Sequence, residues 1–181
     1  IAAGIPLSAL ENWLGNSAAI VRAMPNTPAK VLSGATGLFA NPQVDVEQKT
    51  IVEKIFAAIC YACWVDTEAQ IDAVIAVSGS GPAYFFRIME IMQKVGQELG
   101  LPAQIARDLS INTVLGAARM ATESGTSATQ LREQVTSPGG TTQAALQSFE
   151  QQNLEDVFRK AMNSALDRAE VMSADLGSAT K

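Results

Sequence analysis

No histidine occurs anywhere in the 181 residues, and that absence excludes more chemistry than any other feature of the composition. It removes Ser/His/Asp and Cys/His catalysis, His-ligated zinc and a histidine general base together. Cysteine is nearly as scarce, with Cys60 and Cys63 forming a lone Cys-x-x-Cys. In the strand expected there, residues three apart point to opposite faces, so the two sulfurs diverge. No second pair exists to complete a zinc site, so both read as buried structural thiols and no metal is expected. Positive charge is also short: 13 Lys and Arg against 18 Asp and Glu leave a net charge of −5. Nucleic acid and anionic membranes are therefore not expected partners, since either needs a basic patch. No apolar run approaches the roughly 20 residues that span a bilayer, and no basic stretch precedes an apolar one as a secretory signal requires. A cytoplasmic globular protein is the expectation.

What is present is apolar: hydrophobic residues make up 48% and charged ones 17%, enough to bury a core of one domain, or of one and a part. The first residue is not Met, and residues 1–4 read as the end of a strand, so the sequence is expected to begin inside a domain. Up to about Asp66, helix and strand alternate. Pro6 and Ser8 open a short helix with Leu7, Leu10, Trp13 and Leu14 on one face, closed by Gly15 and Asn16. Residues 18–23 look like a buried strand. Residues 34–40 read as extended, 46–59 as a helix capped by Asp45, and 61–65 as a strand. This alternation predicts an α/β layer whose sheet is at least partly parallel.

From Glu68 onward the periodicity is helical throughout. A helix carrying Ile71, Val74 and Ile75 is interrupted by Ser78, Gly79, Ser80, Gly81 and Pro82. The spacing of Phe85, Ile88, Met92, Val95 and Leu99 then forms one stripe that Gly100 stops. Pro102 starts a helix with Ile105, Leu109 and Met120 on one side, where Gly116, Ala117 and Ala118 permit close helix approach. Ser127 caps a short helix through Leu131 and Val135, and helices over residues 143–149 and 154–175 complete an all-α half. The division falls at residues 1–67 and 68–181.

Three stretches hold candidate chemistry. Met24, Pro25, Asn26, Thr27 and Pro28 follow a strand of the α/β half, where open sheets put their ligands; a ligand loop and a rigid proline-flanked turn fit equally. Ser78 to Gly81 is not a nucleophile elbow, having no flanking glycine at its first position and no histidine to activate a serine. Nor is it a dinucleotide fingerprint, since a helix precedes it; its glycines read as relief where another backbone or a ligand comes near. Residues 136–142 run Thr-Ser-Pro-Gly-Gly-Thr-Thr: Gly139 and Gly140 allow a tight turn, and Thr141 or Thr142 caps the next helix. Two readings stand for this loop, a plain cap and an anion site for a carboxylate. Glu68, in the first turn of a helix, needs no role beyond a favourable meeting with the helix dipole.

Met-Pro-Asn-Thr-Pro, Ser-Gly-Ser-Gly-Pro-Ala-Tyr and Thr-Ser-Pro-Gly-Gly-Thr-Thr, in this order and spacing, resemble pyrroline-5-carboxylate reductase over essentially the whole chain. The resemblance implies reduction of 1-pyrroline-5-carboxylate to L-proline by NADPH or NADH, the last step of proline synthesis. It implies a partial Rossmann layer followed by an all-α helical dimerisation domain, like the C-terminal domain of 6-phosphogluconate dehydrogenase. It also implies intertwined homodimers, assembled further into decamers. By the same resemblance Met24, Pro25 and Asn26 lie beside the nicotinamide. Ser137, Gly139, Gly140, Thr141 and Thr142 wrap the substrate, with N–H groups of Gly140 and Thr141 on its carboxylate and the Thr142 hydroxyl, the assigned catalytic group, near the imine nitrogen. Glu68 belongs to the network behind that site, and Gln134 stands where some members have Asn. One subunit supplies cofactor and the other the substrate loop.

The family's first strands and Gly-rich dinucleotide loop are missing from the sequence, so the pyrophosphate site cannot be located in it. A polypeptide of these residues alone is expected to bind NADPH poorly and to show no reductase activity. Two alternatives stand beside this reading: a truncated, non-catalytic oligomerisation or anion-binding module, and a related oxidoreductase acting on another cyclic imine or a hydroxy acid. Preference between NADPH and NADH has no signature in these residues.

Overall fold

A computed structural model describes residues 5–178; the strand end expected at residues 1–4 lies outside them. Helix α1 (Leu7–Leu14) begins after Pro6, whose extended backbone and missing N–H suit the start of a helix, and ends before Gly15. Three strands follow, β1 (Val21–Met24), β2 (Gly34–Ala40) and β3 (Cys60–Trp64), in spatial order β1-β2-β3. β1 runs antiparallel to β2, with Met24 opposite Gly37, and β2 runs parallel to β3, with Leu38 opposite Trp64. The difference follows from the connections: a compact turn (Thr27–Val31) joins the first pair, whereas a parallel pair needs a crossover, here helix α2 (Val46–Ala57). The α2 start is fixed by a reciprocal capping box: Asp45 accepts from the Gln48 N–H at 2.8 Å, and the Gln48 side chain accepts from the Asp45 N–H at 3.0 Å.

The strand expected at residues 18–23 is displaced. Ahead of β1, the buried Asn41 side chain takes the Ile20 N–H at 3.0 Å and donates to the Ala18 carbonyl at 2.9 Å. Of this stretch, among the described residues, only the Ile20 carbonyl bonds the backbone beyond β2, accepting from the Asn41 N–H at 3.0 Å. The central strand β2 carries the fully buried Thr36 and Leu38. Helix α3 (Ala69–Val74) lies on it so closely that a Cβ at Gly37 would come within 2.7 Å of Val74 Cγ2.

The break expected at residues 78–82 is also corrected. The chain stays helical through a single π-helical turn (Ile75–Gly79), closed by the Ser80 N–H on the Ile75 carbonyl at 2.8 Å, and continues as α4 (Gly81–Glu98). Pro82 is the cause. An interior proline removes one helical hydrogen bond and crowds the carbonyl four residues back, and the wider turn relieves that crowding.

Helices α5 (Ala103–Glu123), α6 (Ala128–Gln134), α7 (Thr141–Gln151) and α8 (Leu154–Ser178) complete the chain. Ser127 caps α6 through a second capping box, with Gln130. The chain packs as two units, one built from residues up to Pro82 with those from Lys160 on, the other from Ala83–Arg159. Within the second unit, α4 and α5 meet where a Cβ at Gly96 would lie 3.2 Å from Ala106 Cβ. At Gly116, where close approach was expected, a Cβ would meet no atom of the described residues within 4 Å. Only Ala106 and Ser110 are buried in that unit, while Phe85, Met92, Val95, Leu99, Ile105 and Leu109 are exposed. No described helix is long and apolar enough to cross a membrane.

Candidate functional site

In the first unit two of the three motifs meet. The loop after β1 is fastened by Asn26, whose Oδ1 accepts from the Ala35 N–H at 2.9 Å and whose Nδ2 donates to the Ser78 carbonyl at 3.0 Å. One amide thus ties the first motif to the start of β2 and to the π-turn of the second. Met24 reaches the same turn: its Cε lies 2.9 Å from where a Gly79 Cβ would stand. The Ser78 hydroxyl donates back to the Val74 carbonyl at 3.1 Å, as helical serines do, and serves no nucleophilic geometry. Met24 and Pro25 remain half-buried, an apolar surface at the end of a β-strand, and Asn26 keeps its second amide hydrogen.

Glu68 precedes α3 at its N-terminus, and its Oε1 does two things at once. It accepts from the Leu7 N–H at 2.6 Å and pairs with the guanidinium of Arg22, a side chain 10% exposed against 34% for Glu68. Three elements, α1, β1 and α3, are fastened at that atom. One helical turn on, Asp72 completes an ionic cluster. Burial raises its carboxyl above the usual aspartate range, the Arg22 charge lowers it in part, and Glu68 raises it. The sequence reading missed Arg22 and Asp72. The signal for Arg22 was present, since it is the one charged residue in the apolar run 18–24.

The third motif lies in the second unit and is built on a turn. Ser137, Pro138, Gly139 and Gly140 form a type II β-turn: proline supplies its second position, Gly139 its third with φ +71°, and the Gly140 N–H closes it on the Ser137 carbonyl at 3.0 Å. An alanine at Gly139 would be strained by that φ, and a Cβ at Gly140 would lie 3.0 Å from the Ser137 oxygen. Gly140, extended at φ −83° and ψ 172°, is the residue that caps α7, so the cap expected from Thr141 or Thr142 is not made. The reason is register: both threonines are already helical. Gln143 Oε1 accepts from the Gly139 N–H at 2.6 Å and braces the turn from inside the helix.

The Gly140 N–H is spent on the turn, so the donors left without a partner among the described residues are the N–H groups of Thr141, Thr142 and Gln143. No acidic residue occupies the first turn of α7 to compete for them. The partly buried Thr142 hydroxyl takes no hydrogen bond among the described residues, and Gln134, the last residue of α6, is exposed. Among the described residues no group of three Cys, Asp or Glu is placed to hold a metal. Cys60 and Cys63 are free thiols: the Cys60 sulfur lies 3.0 Å from the Thr36 hydroxyl, and Cys63 reaches the Thr36 carbonyl at 3.8 Å.

A model of the pyrroline-5-carboxylate reductase dimerisation family matches residues 68–172. The pyrroline-5-carboxylate reductase of Pseudomonas aeruginosa is 49% identical over 177 residues, 98% of this chain and 65% of that protein. Pyrroline-5-carboxylate reductase 1 of Bacillus subtilis is 35% identical, over 97% of this chain and 59% of its own. Among solved structures, a pyrroline-5-carboxylate reductase from Coxiella burnetii superposes with a TM-score of 0.93 at 50% identity, covering 96% of this chain and 64% of that one. The pyrroline carboxylate reductase of Plasmodium falciparum with NADP bound gives 0.84 at 29% identity, over 94% and 68%. The chain thus spans under two thirds of the length of the curated relatives it matches.

Proposed function

The chain belongs to the pyrroline-5-carboxylate reductase family, and from that premise we propose that the protein reduces 1-pyrroline-5-carboxylate to L-proline with NADPH or NADH. The observation that carries the proposal is the α7 N-terminus. A proline-glycine turn consumes its own hydrogen bond and leaves the Thr141, Thr142 and Gln143 N–H groups for an anion, with an unengaged hydroxyl beside them. A ring carboxylate is such an anion.

In this reading the carboxylate rests on those three N–H groups within the loop of Ser137, Gly139, Gly140, Thr141 and Thr142, with Gln134 at its edge. The Thr142 hydroxyl donates to the imine nitrogen. A threonine hydroxyl is too weak an acid to be the main proton source, so its work is to orient and polarise the imine. Bound NADPH or NADH supplies the hydride. Met24 and Pro25 give its nicotinamide an apolar rest, and Asn26 fixes the loop that carries them. Hydride transfer requires donor and acceptor carbons about 3–3.5 Å apart, so orientation contributes much of the rate, one subunit supplying the cofactor loop and its partner the substrate loop. Glu68, engaged with Arg22 and the Leu7 N–H, supports a positioning part in the network behind the site.

The exposed apolar stripe of Phe85, Met92, Val95 and Leu99 supports an intertwined homodimer, since each such side chain is worth about 1.5–3 kcal/mol when buried. Assembly into decamers is part of the same proposal. So is a cytoplasmic location, which two free thiols suit. The functional division at 1–67 and 68–181 is supported by the family match starting at residue 68, although α3 packs on β2.

The test is steady-state reduction of pyrroline-5-carboxylate, its six-membered analogue and a hydroxy acid by the full-length protein. The five-membered imine is expected to be preferred. In Thr142→Ala we expect turnover to fall about tenfold; wild-type turnover and KM in that variant would remove the hydroxyl from the mechanism.

A further inference from the structure

We infer that the π-turn is a seat which positions the Met24–Asn26 loop, and that the absence of a side chain at Gly79 sets the affinity for the nicotinamide cofactor. The inference rests on the reading above that this loop borders the nicotinamide. Two independent contacts build the seat. In an α-helix the carbonyl of Ser78 would accept from the N–H of residue 82, but residue 82 is proline and has none. The π-turn leaves that carbonyl to the side of the helix, and Asn26 Nδ2 takes it at 3.0 Å. The second contact is steric. A Cβ on Gly79 would stand 2.9 Å from Met24 Cε, closer than carbon atoms approach, while its other neighbours, on Ile75, lie at an ordinary 3.7 and 3.8 Å. The thioether methyl therefore occupies the space that a side chain at residue 79 would fill.

Gly79 acts through Met24 and is a positioning residue. Its φ is not in the left-handed region, so alanine is tolerated by the backbone, and replacing glycine within a helical stretch favours the fold. What must yield is the far end of a flexible side chain. Gly79→Ala is thus expected to keep the protein folded and to push the Met24 side chain off its seat toward the cofactor surface.

The experiment is a double-mutant cycle in the full-length protein, read by NADPH titration and by the methyl resonances of 13C-labelled methionine. Gly79→Ala is expected to weaken NADPH binding about tenfold, to move the Met24 methyl resonance, and to leave the KM for the imine within about twofold. Met24→Ala weakens binding on its own account. In that background the further change Gly79→Ala should alter NADPH affinity by less than about twofold, because the side chain it displaces is gone. A merely structural glycine would cost the same in both backgrounds, and that outcome overturns the inference. So does unchanged NADPH affinity in Gly79→Ala alone, with the wild-type protein still binding cofactor. A wild-type protein that binds no NADPH overturns the functional reading, and the inference with it.

Discussion

Replacing Glu68 by alanine removes the acceptor on which α1, β1 and α3 converge. The loss can be built from its parts. A hydrogen bond to a charged group contributes about 1.5–3 kcal/mol net, and breaking a buried pair by deleting one partner costs about 3–5 kcal/mol. Glu68 is a third exposed, so water replaces part of what Arg22 loses, and Asp72 stays close enough to share the cation. We therefore expect about 2–3 kcal/mol for Glu68→Ala and about 1 kcal/mol for Glu68→Gln, which keeps an acceptor and loses the charge. Urea titration of both variants at neutral pH and one fixed protein concentration reads this as a lowered midpoint at constant slope. Turnover separates positioning from proton transfer. A carboxylate in the proton path loses about 100-fold or more as Glu68→Gln, whereas one that holds Arg22 loses rate only in step with stability. A cost below about 0.5 kcal/mol for Glu68→Ala would refute the account of the cluster.

Three further outcomes are expected. Asn41→Ala leaves the Ile20 N–H and the Ala18 carbonyl without partners in a buried place, and should cost about 2–4 kcal/mol in chemical denaturation. Asp72 has a native pKa raised above its unfolded value of 3.8, so its ionised form costs stability above the native pKa, and that cost fades as the pH falls through it. Asp72→Asn should accordingly be more stable than wild type at neutral pH, with the margin shrinking as urea titrations move down toward pH 3.8. Val95→Asp places a charge in the exposed stripe of α4 and should weaken dimerisation about 100-fold by sedimentation, with helix content unchanged.

The sequence shows whatever is decided within a few residues and hides what is decided across many. Asp45 with Gln48, and Ser127 with Gln130, fix helix starts through side chains three residues apart, so α2 and α6 were readable. The three motifs were readable too, as strings of proline, glycine and threonine. Ala18 and Ile20 were misplaced because their partner, Asn41, lies 23 and 21 residues away. The pairing of Arg22 with Glu68 spans 46 residues and has no local mark. Pro82 ordinarily signals a stop, but here the helix widens into a π-turn ahead of it and continues as α4. The stripe from Phe85 to Leu99 reads the same whether its partner is in the same chain or another, and in this chain it faces outward.

The chain carries no histidine, and its three motifs contain no Asp, Glu, Lys or Arg. Their prolines and glycines instead aim backbone groups. Pro82 frees the Ser78 carbonyl for Asn26; Pro138 and Gly139 form a turn that consumes the Gly140 N–H and leaves the next three exposed at the head of α7. Dipoles fixed in this way need no reorganisation when an anion or a developing charge arrives, which is where preorganised donors gain over water. A hydride transfer makes few demands on acid-base groups and strict ones on orientation. Under the proposed function, aimed amides and one hydroxyl on one loop and an apolar surface on the other suit that reaction better than hydrolysis, where a nucleophile must be activated.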